Sequence, residues 1–148
     1  MKIKTVHFGE VEIEQEKTFL FPNGLPGLEE DKRFALLSRE EGQAICCLQS
    51  LDHWEIALPV INPFHLMPTY ECNVIPDDIS ALSIEAPEDV LTLSVMVIPK
   101  ESEKMTVNLV APIIINLKNH MGRQIFLENK KYEIRTPVLE LIRESHRV

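Results

Sequence analysis

Apolar residues alternate with polar residues along most segments of this chain. This period of two residues is typical of β-strands. The clearest case is segment 90–98, in which Leu91, Leu93, Val95 and Val97 share one face. Ten prolines, spread along the chain, divide it into many short elements. Because many short strands leave many edges to protect, such chains usually close into barrels or stack as sandwiches.

The fold class predicted from this pattern is mostly β. We expect a small antiparallel β-barrel-like or sandwich domain with short helical turns and a C-terminal helix. A polar loop at 99–104 between two strong strands predicts a hairpin. The predicted strands are 10–16, 18–21, 33–37, 44–51, 54–60, 90–98, 105–109, 113–117 and 124–128.

Helix signals are weaker than strand signals. Pro76, followed by two aspartates, predicts a short helix through Leu82, because proline and acids favour the first helical turn. In the tail, Thr136 is a plausible N-cap. The helix expected after it is indicated by the spacing of Val138, Leu141 and Ile142, with Arg143 and Arg147 near its C-terminal end.

Length and charge limit the possible function. A chain of 148 residues fits a single domain, 1–148. Apolar runs fall short of the roughly 18 residues that span a bilayer, and the N-terminus lacks an apolar signal segment. We therefore expect a cytoplasmic protein without membrane contact. The net charge of −8 argues against direct binding of nucleic acid and suits a basic partner.

No motif in the sequence indicates catalysis. Phosphate-binding glycine loops, nucleophile elbows and metal-ligand spacings are all missing. Ser50, Asp52 and His53 have the residue types of a catalytic triad, but near neighbours rarely reach triad geometry, and we interpret them as a polar turn. The three cysteines are interpreted as small buried apolar residues. We predict no catalytic, metal or cofactor-binding residues.

The acidic residues fall in small groups along the chain. Glu10, Glu12, Glu14 and Glu16 would share one face of a strand. Such a face either prevents edge-to-edge pairing or serves as a docking face for a basic protein. Both interpretations stay open at this point.

Several sequence blocks resemble the flagellar assembly factor FliW, a family of small bacterial proteins. The early block Phe21-Pro22-Asn23-Gly24-Leu25-Pro26-Gly27-Leu28 and the later block Asn108-Leu109-Val110-Ala111-Pro112-Ile113 are the most specific. The other blocks follow in family order and cover nearly the whole chain. They are 33–37, 48–52, 61–64, 122–125 and 132–135.

The resemblance implies a non-enzymatic cytoplasmic regulator of flagellar assembly. Family members bind the RNA-binding translational repressor CsrA and relieve its repression of flagellin mRNA, in our expectation allosterically. They also bind flagellin near its C-terminus, so that flagellin competes in a partner switch. A flagellin segment would fit a hydrophobic groove. The family motifs themselves read as core and turn residues, with Asn108 and Asn116 bonding backbone groups.

Acid placement suggests where a basic partner would make contact. Glu71 follows the exposed-looking segment 68–70, and other acids lie on the predicted hairpin loop and before the long strand. The predicted contacts are Glu71, Glu85, Glu88, Asp89, Glu101 and Glu103.

Two rival functions belong to other classes. A small β-barrel that binds a ligand would have a deep apolar cavity with a few convergent polar groups. A hydrolase would use Ser50 and His53 and lose its turnover when either is replaced by alanine.

Overall fold

The computed structural model describes residues 1–145. Eleven strands and two α-helices follow one another along this part of the chain. The strands are β1 (Lys2–Lys4), β2 (Glu10–Glu12), β3 (Thr18–Leu20), β4 (Arg33–Leu37), β5 (Ile45–Ser50), β6 (Ala57–Ile61), β7 (Val90–Val97), β8 (Thr106–Val107), β9 (Ile113–Asn116), β10 (Met121–Gln124) and β11 (Thr136–Pro137). The helices are α1 (Pro76–Ala81) and α2 (Val138–Ser145).

Seven strands close into a barrel. The order is β7-β6-β5-β4-β3-β10-β9, and β9 pairs back with β7 at Leu91↔Ile115 and Leu93↔Ile113. All of these pairings are antiparallel except β3 with β10. The predicted hairpin joins β7 to β8, and β11 extends that edge. The predicted mostly β, barrel-like fold is therefore confirmed, and the closure pairs β7 and β9 with each other.

The barrel interior is filled by large apolar side chains. Phe21, Phe34, Leu48 and Ile113 are fully buried there. Phe21 and Phe34 meet edge to face, with ring centroids 5.4 Å apart. Close packing reaches the backbone, because a Cβ added at Gly122 on β10 would lie 2.7 Å from the Phe21 ring. A filled interior is the usual state of a small barrel.

The N-terminal hairpin of β1 and β2 corrects one prediction. The four glutamates do not share one strand face, because β2 ends at Glu12 and Glu16 lies in a 3-10 turn. Glu10 and Glu12 lie opposite Lys4 and Lys2 in the hairpin register. The cross-strand lysines therefore offset the charge of these two glutamates.

The helices lie close to their predicted places. Helix α1 begins at Pro76 as expected, with two aspartates in its first turn. The prediction that Thr136 is the N-cap of α2 was wrong. Thr136 lies in β11, where it pairs with Val107 of β8, and its hydroxyl donates to the Glu133 carbonyl. Arg147 lies outside the described residues.

Two strand predictions were displaced by the tertiary structure. The last barrel strand is Met121–Gln124 and not 124–128. Segment 125–127 instead donates to the carbonyls of Pro112 and Val110 outside any strand. Trp54 lies in a turn before β6, where Lys4 Nζ sits 3.9 Å from its ring centroid. The alternating pattern identified both strands correctly, but the positions of their ends depend on the register with the partner strands.

Candidate protein-binding site

Ser50 and His53 do not form a catalytic triad with Asp52. The Ser50 hydroxyl donates to Asp31 Oδ1 at 2.6 Å, and His53 Nδ1 donates to the same oxygen at 2.8 Å. Asp52 turns away and accepts from the backbone N–H groups of Lys32 and Arg33 at 2.7 and 3.1 Å. A serine nucleophile requires a hydrogen bond from its hydroxyl to an imidazole. The Ser50 hydroxyl donates to a carboxylate instead. This geometry supports the polar-turn interpretation.

Asp31 is the residue that the sequence reading missed. An aspartate that follows two glutamates is typical of an exposed loop, yet Asp31 is only 3% exposed. Burial would raise the pKa of Asp31, but hydrogen bonds from Ser50 and His53 outweigh burial and lower it. The same hydrogen bond, together with the Asp31 charge, raises the pKa of His53. The neighbouring residues Glu29, Glu30 and Lys32 are all charged, so the local sequence gave no signal of this burial.

The polar residues of the family motifs serve the fold. The fully buried Gln49 accepts from the Val6 N–H at 3.1 Å and donates to the Trp54 carbonyl at 2.8 Å. Asn108 accepts from the N–H groups of Val110 and Ala111, and Asn116 donates to the Leu82 carbonyl. The prediction that these asparagines bond backbone groups in turns is confirmed.

The three cysteines are all at least partly buried. Cys47 is buried, while Cys46 and Cys72 are partly buried, and all three are free thiols. Burial raises the pKa of Cys47 and of Cys72 to about 11, so both thiols stay protonated at neutral pH. Residues 1–145 bring no three His, Cys, Asp or Glu side chains together around a common point for a metal. Across that same part of the chain, neither helix has the length and apolar content needed to cross a bilayer.

The predicted contact acids lie in three places. Glu85, Glu88 and Asp89 precede β7, whereas Glu101 and Glu103 follow it on the hairpin loop. The eight-residue strand between them spans roughly 27 Å at about 3.4 Å per residue. The two groups therefore lie at opposite ends of β7 and do not form one cluster.

Glu71 forms the third place. Its backbone N–H donates to the Tyr132 hydroxyl at 2.6 Å, and its carboxylate accepts from Asn129 at 3.3 Å. The expectation of an exposed 68–70 segment was wrong at Tyr70, which is 4% exposed and donates to the Leu109 carbonyl. Pro68 and Thr69 are exposed as expected.

Some acids are paired within the protein. Lys118 Nζ lies 3.5 Å from Asp89 Oδ2 and 4.0 Å from Glu85 Oε2. Glu101 pairs with Lys104 at 2.9 Å on the exposed hairpin loop. The Asp89 side chain is largely buried, whereas the Glu85 side chain is highly exposed. Glu85 therefore stays available at the surface.

An apolar cleft lies beside the first group of acids. Its volume is about 520 Å³, and helix α1, the segment before β7 and the turn after β6 form its walls. Ile79 on α1 and Phe64 on the turn are 37% and 38% exposed. Glu85 lies on its wall, and Val90 and Thr92 of β7 lie within it. The sequence reading missed this cleft, although Ile75 and Ile79 repeat at helical spacing on an exposed helix.

The chain is similar in sequence to proteins of one family over nearly its whole length. Residues 2–138 match the family described as "FliW protein". The flagellar assembly factor FliW of Clostridium tetani (strain Massachusetts / E88) is 38% identical over 140 residues, covering 95% of this chain and 97% of that protein. The FliW of Thermoanaerobacter pseudethanolicus (strain ATCC 33223 / 39E) is 38% identical over 147 residues, covering 99% and 98%.

A solved structure shares the fold as well. The crystal structure of a flagellar assembly factor FliW superimposes with a TM-score of 0.86 at 31% identity, covering 93% of this chain and 96% of that one. The two proteins share a closed seven-stranded barrel with a C-terminal helix, and this likeness places the chain in the class of flagellar assembly factors. The chain belongs to the FliW family.

Proposed function

We propose that the protein is a cytoplasmic, non-enzymatic regulator that binds a CsrA-type RNA-binding protein and relieves its repression of flagellin mRNA. Flagellin is the second partner and competes for the protein, so that synthesis follows export. Family membership across residues 2–138 is the observation that carries this proposal. It fixes a role in flagellar assembly, and the two partners are our inference within that role.

The surface charge supports a basic partner. The chain carries 23 acidic and 15 basic residues, and a protein that binds RNA presents cations where it meets phosphate. Exposed acids such as Glu85 and Glu103 therefore speed the encounter and orient it, while apolar contacts supply more of the affinity. We propose that the antagonism is allosteric, with this protein bound beside the RNA site.

The interior of the barrel argues against a ligand-binding function. Phe21, Phe34 and Leu48 fill the space that a ligand would take in a wider barrel. The hydrolase alternative loses its geometric basis, because Ser50 and His53 both bond Asp31.

The test is a titration of the full-length protein into a CsrA-type protein by calorimetry, repeated with flagellin bound in advance. Submicromolar binding that flagellin suppresses supports the partner switch. An absence of heat at several temperatures, together with an absence of capture on immobilised partner, contradicts it. A screen of metabolites would then test the ligand-binding barrel.

A further inference from the structure

A second cleft with apolar walls lies at the other end of β7, away from helix α1. Its volume is about 670 Å³, and its walls are the turn of the N-terminal hairpin, the β4–β5 hairpin, β6 and the end of β7. Val97 and Ile98, where the chain leaves β7, are 55% and 44% exposed. Large apolar side chains exposed together at a cleft are typical of a surface that binds a partner.

The turn between β4 and β5 supplies hydrogen-bond donors to this cleft. The side chains of Ser38, Arg39 and Gln43 are exposed and line it. Gln43 Oε1 accepts from the backbone N–H groups of Arg39 and Glu40 at 3.0 and 3.4 Å, which fixes the position of the amide. Within residues 1–145, the Ser38 hydroxyl, the Arg39 guanidinium and the Gln43 amide nitrogen donate to no other group. These donors are therefore available to a ligand.

The charge of the lining differs from that of the whole chain. The chain carries a net charge of −8, yet the described residues that line this cleft include Arg39 and His7 and no aspartate or glutamate. A guanidinium with neighbouring N–H and O–H donors is a typical binding group for a carboxylate. The cleft therefore fits a carboxylate that is attached to apolar groups.

The cleft continues into a larger one, so the occupant is a peptide chain rather than a small molecule. The second cleft has a volume of about 790 Å³. The residues that line both clefts are Phe8, Leu37, Ser38 and Cys46. The charged residues of the second cleft are Glu12, Glu14, Glu16 and Glu41, together with Lys17. The two clefts form one groove with donors at one end and mainly acids at the other, which gives a bound chain a direction.

Charge and position decide between the two proposed partners. A CsrA-type protein presents cations where it binds RNA, and Arg39 repels such a surface. The groove ends at Ile98, immediately before the hairpin loop that carries Glu101 and Glu103. An occupant of the groove would therefore crowd a basic protein that contacts those two acids. Flagellin in the groove would compete with that protein in this way.

We propose that this groove binds the C-terminal end of flagellin, with the terminal carboxylate held by Ser38, Arg39 and Gln43. The inference rests on the proposed function and names the surface and the chemistry by which flagellin is recognised. Apolar side chains that precede the carboxylate pack against Val97 and Ile98. A basic side chain further back along the segment faces the acids of the second cleft.

The experiment is a calorimetric titration of monomeric flagellin into the full-length protein. One flagellin keeps its natural C-terminus, and a second is extended there by a short glycine-serine segment, which moves the carboxylate out of reach. The extension is expected to weaken binding about tenfold, because a charge-assisted contact is lost. Arg39→Gln and Val97→Asp are each expected to weaken natural flagellin about tenfold. Arg39→Gln should add little to the effect of the extension, because both changes remove the same contact.

Matched control variants carry the same changes outside the groove. Arg135→Gln removes an exposed arginine before β11, and Ile134→Asp alters a residue that is 63% exposed. Both controls should bind flagellin within about twofold of the unsubstituted protein, because residues outside an interface contribute little. Arg39→Lys, which keeps the charge, should bind more tightly than Arg39→Gln. Circular dichroism confirms that all of these variants fold.

The outcomes separate this inference from the proposed function. Flagellin that binds with the same affinity to Arg39→Gln and Val97→Asp overturns the groove as its site and leaves the proposed function standing. If these variants weaken binding and the extension does not, the terminal carboxylate is not the ligand, and the inference is overturned. Failure of flagellin to bind the unsubstituted protein overturns the flagellin part of the proposed function and this inference with it. The titration of a CsrA-type protein then tests the rest of the proposed function.

Discussion

The Ser50 hydroxyl donates a 2.6 Å hydrogen bond to the buried carboxylate of Asp31. This bond joins the end of β5 to the loop before β4. His53 donates to the same carboxylate oxygen from the surface side. Ser50 Oγ also accepts from the His53 N–H at 3.0 Å, which fixes the turn. The pairing makes this turn a structural element of the barrel and explains why the triad-like residues lie so close in sequence.

Replacing Asp31 is therefore expected to lower the free energy of unfolding. Asp31→Ala removes the acceptor of a buried hydroxyl, a loss that costs about 1–3 kcal/mol. Glu30→Ala, at the exposed neighbouring position, should stay within about 0.5 kcal/mol. Urea unfolding followed by circular dichroism measures both, and equal effects of the two variants would contradict the structural role.

The same turn should make stability depend on pH. The pKa of His53 is raised from 6.5 by its hydrogen bond to Asp31, so its stabilisation is present below pH 6.5 and is lost as pH rises through the raised value. The pKa of Asp31 is lowered from 3.8, so its stabilisation is present above pH 3.8 and is lost as pH falls through the lowered value.

The measurement is the difference in Tm between the unsubstituted protein and His53→Gln across the pH range. We expect the difference to be largest between about pH 4 and pH 6.5 and to shrink above that window. In an Asp31→Asn background, His53→Gln should show no such trend. A difference that stays constant with pH would contradict the pairing in solution.

The contact between Gly122 and Phe21 predicts an intolerant position in the core. A Cβ at residue 122 would lie 2.7 Å from two atoms of the Phe21 ring, and overpacking of this kind costs about 1–3 kcal/mol. Gly122→Ala should therefore destabilise the protein. Combined with Phe21→Leu, it should cost less than the sum of the two single changes, because the smaller side chain leaves room. Additive costs in denaturant unfolding would show that the two residues do not interact.

Gln49 is expected to hold the N-terminal hairpin to the barrel. Gln49→Leu removes the acceptor of the Val6 N–H and the donor to the Trp54 carbonyl. Unpaired buried groups of this kind cost about 1–3 kcal/mol. Amide exchange at Val6 should accelerate, while exchange at Leu48 in the barrel wall should accelerate only as far as the global stability falls. Unchanged exchange at Val6 would mean that other contacts hold the hairpin.

The distance between the two acidic groups around β7 predicts that they act separately on a partner. Reversing Glu85, Glu88 and Asp89 to lysine is compared with reversing Glu101 and Glu103, each as one variant. Reversing the group that faces the partner should lower the association rate and the dependence of that rate on salt, because electrostatic steering acts through charge. Stopped-flow association with a CsrA-type protein at low and high salt measures this. Reversal of all six predicted acids, Glu71 included, without a change in affinity would contradict their role.

The sequence alone determined the class of fold and most of its elements. Alternation of apolar residues, as at Leu91, Leu93 and Val95 of β7, depends only on which face of a strand is buried, so neighbouring residues in the sequence are enough to reveal it. The early glycine-rich turn and Pro76 also act locally, through backbone angles. The family followed from blocks that are mostly core and turn residues, because those residues specify the shared fold.

Only the tertiary structure decided how distant segments meet. Asp31 gave no local sign of burial, because its partners lie 19 and 22 residues away. Strand ends such as that of β10 depend on the register of the partner strand. The apolar cleft at Val90 is formed by the turn after β6, helix α1 and the start of β7, which only the tertiary structure brings together. Side-chain periodicity records which residues are buried, whereas sites arise from long-range packing that periodicity does not encode.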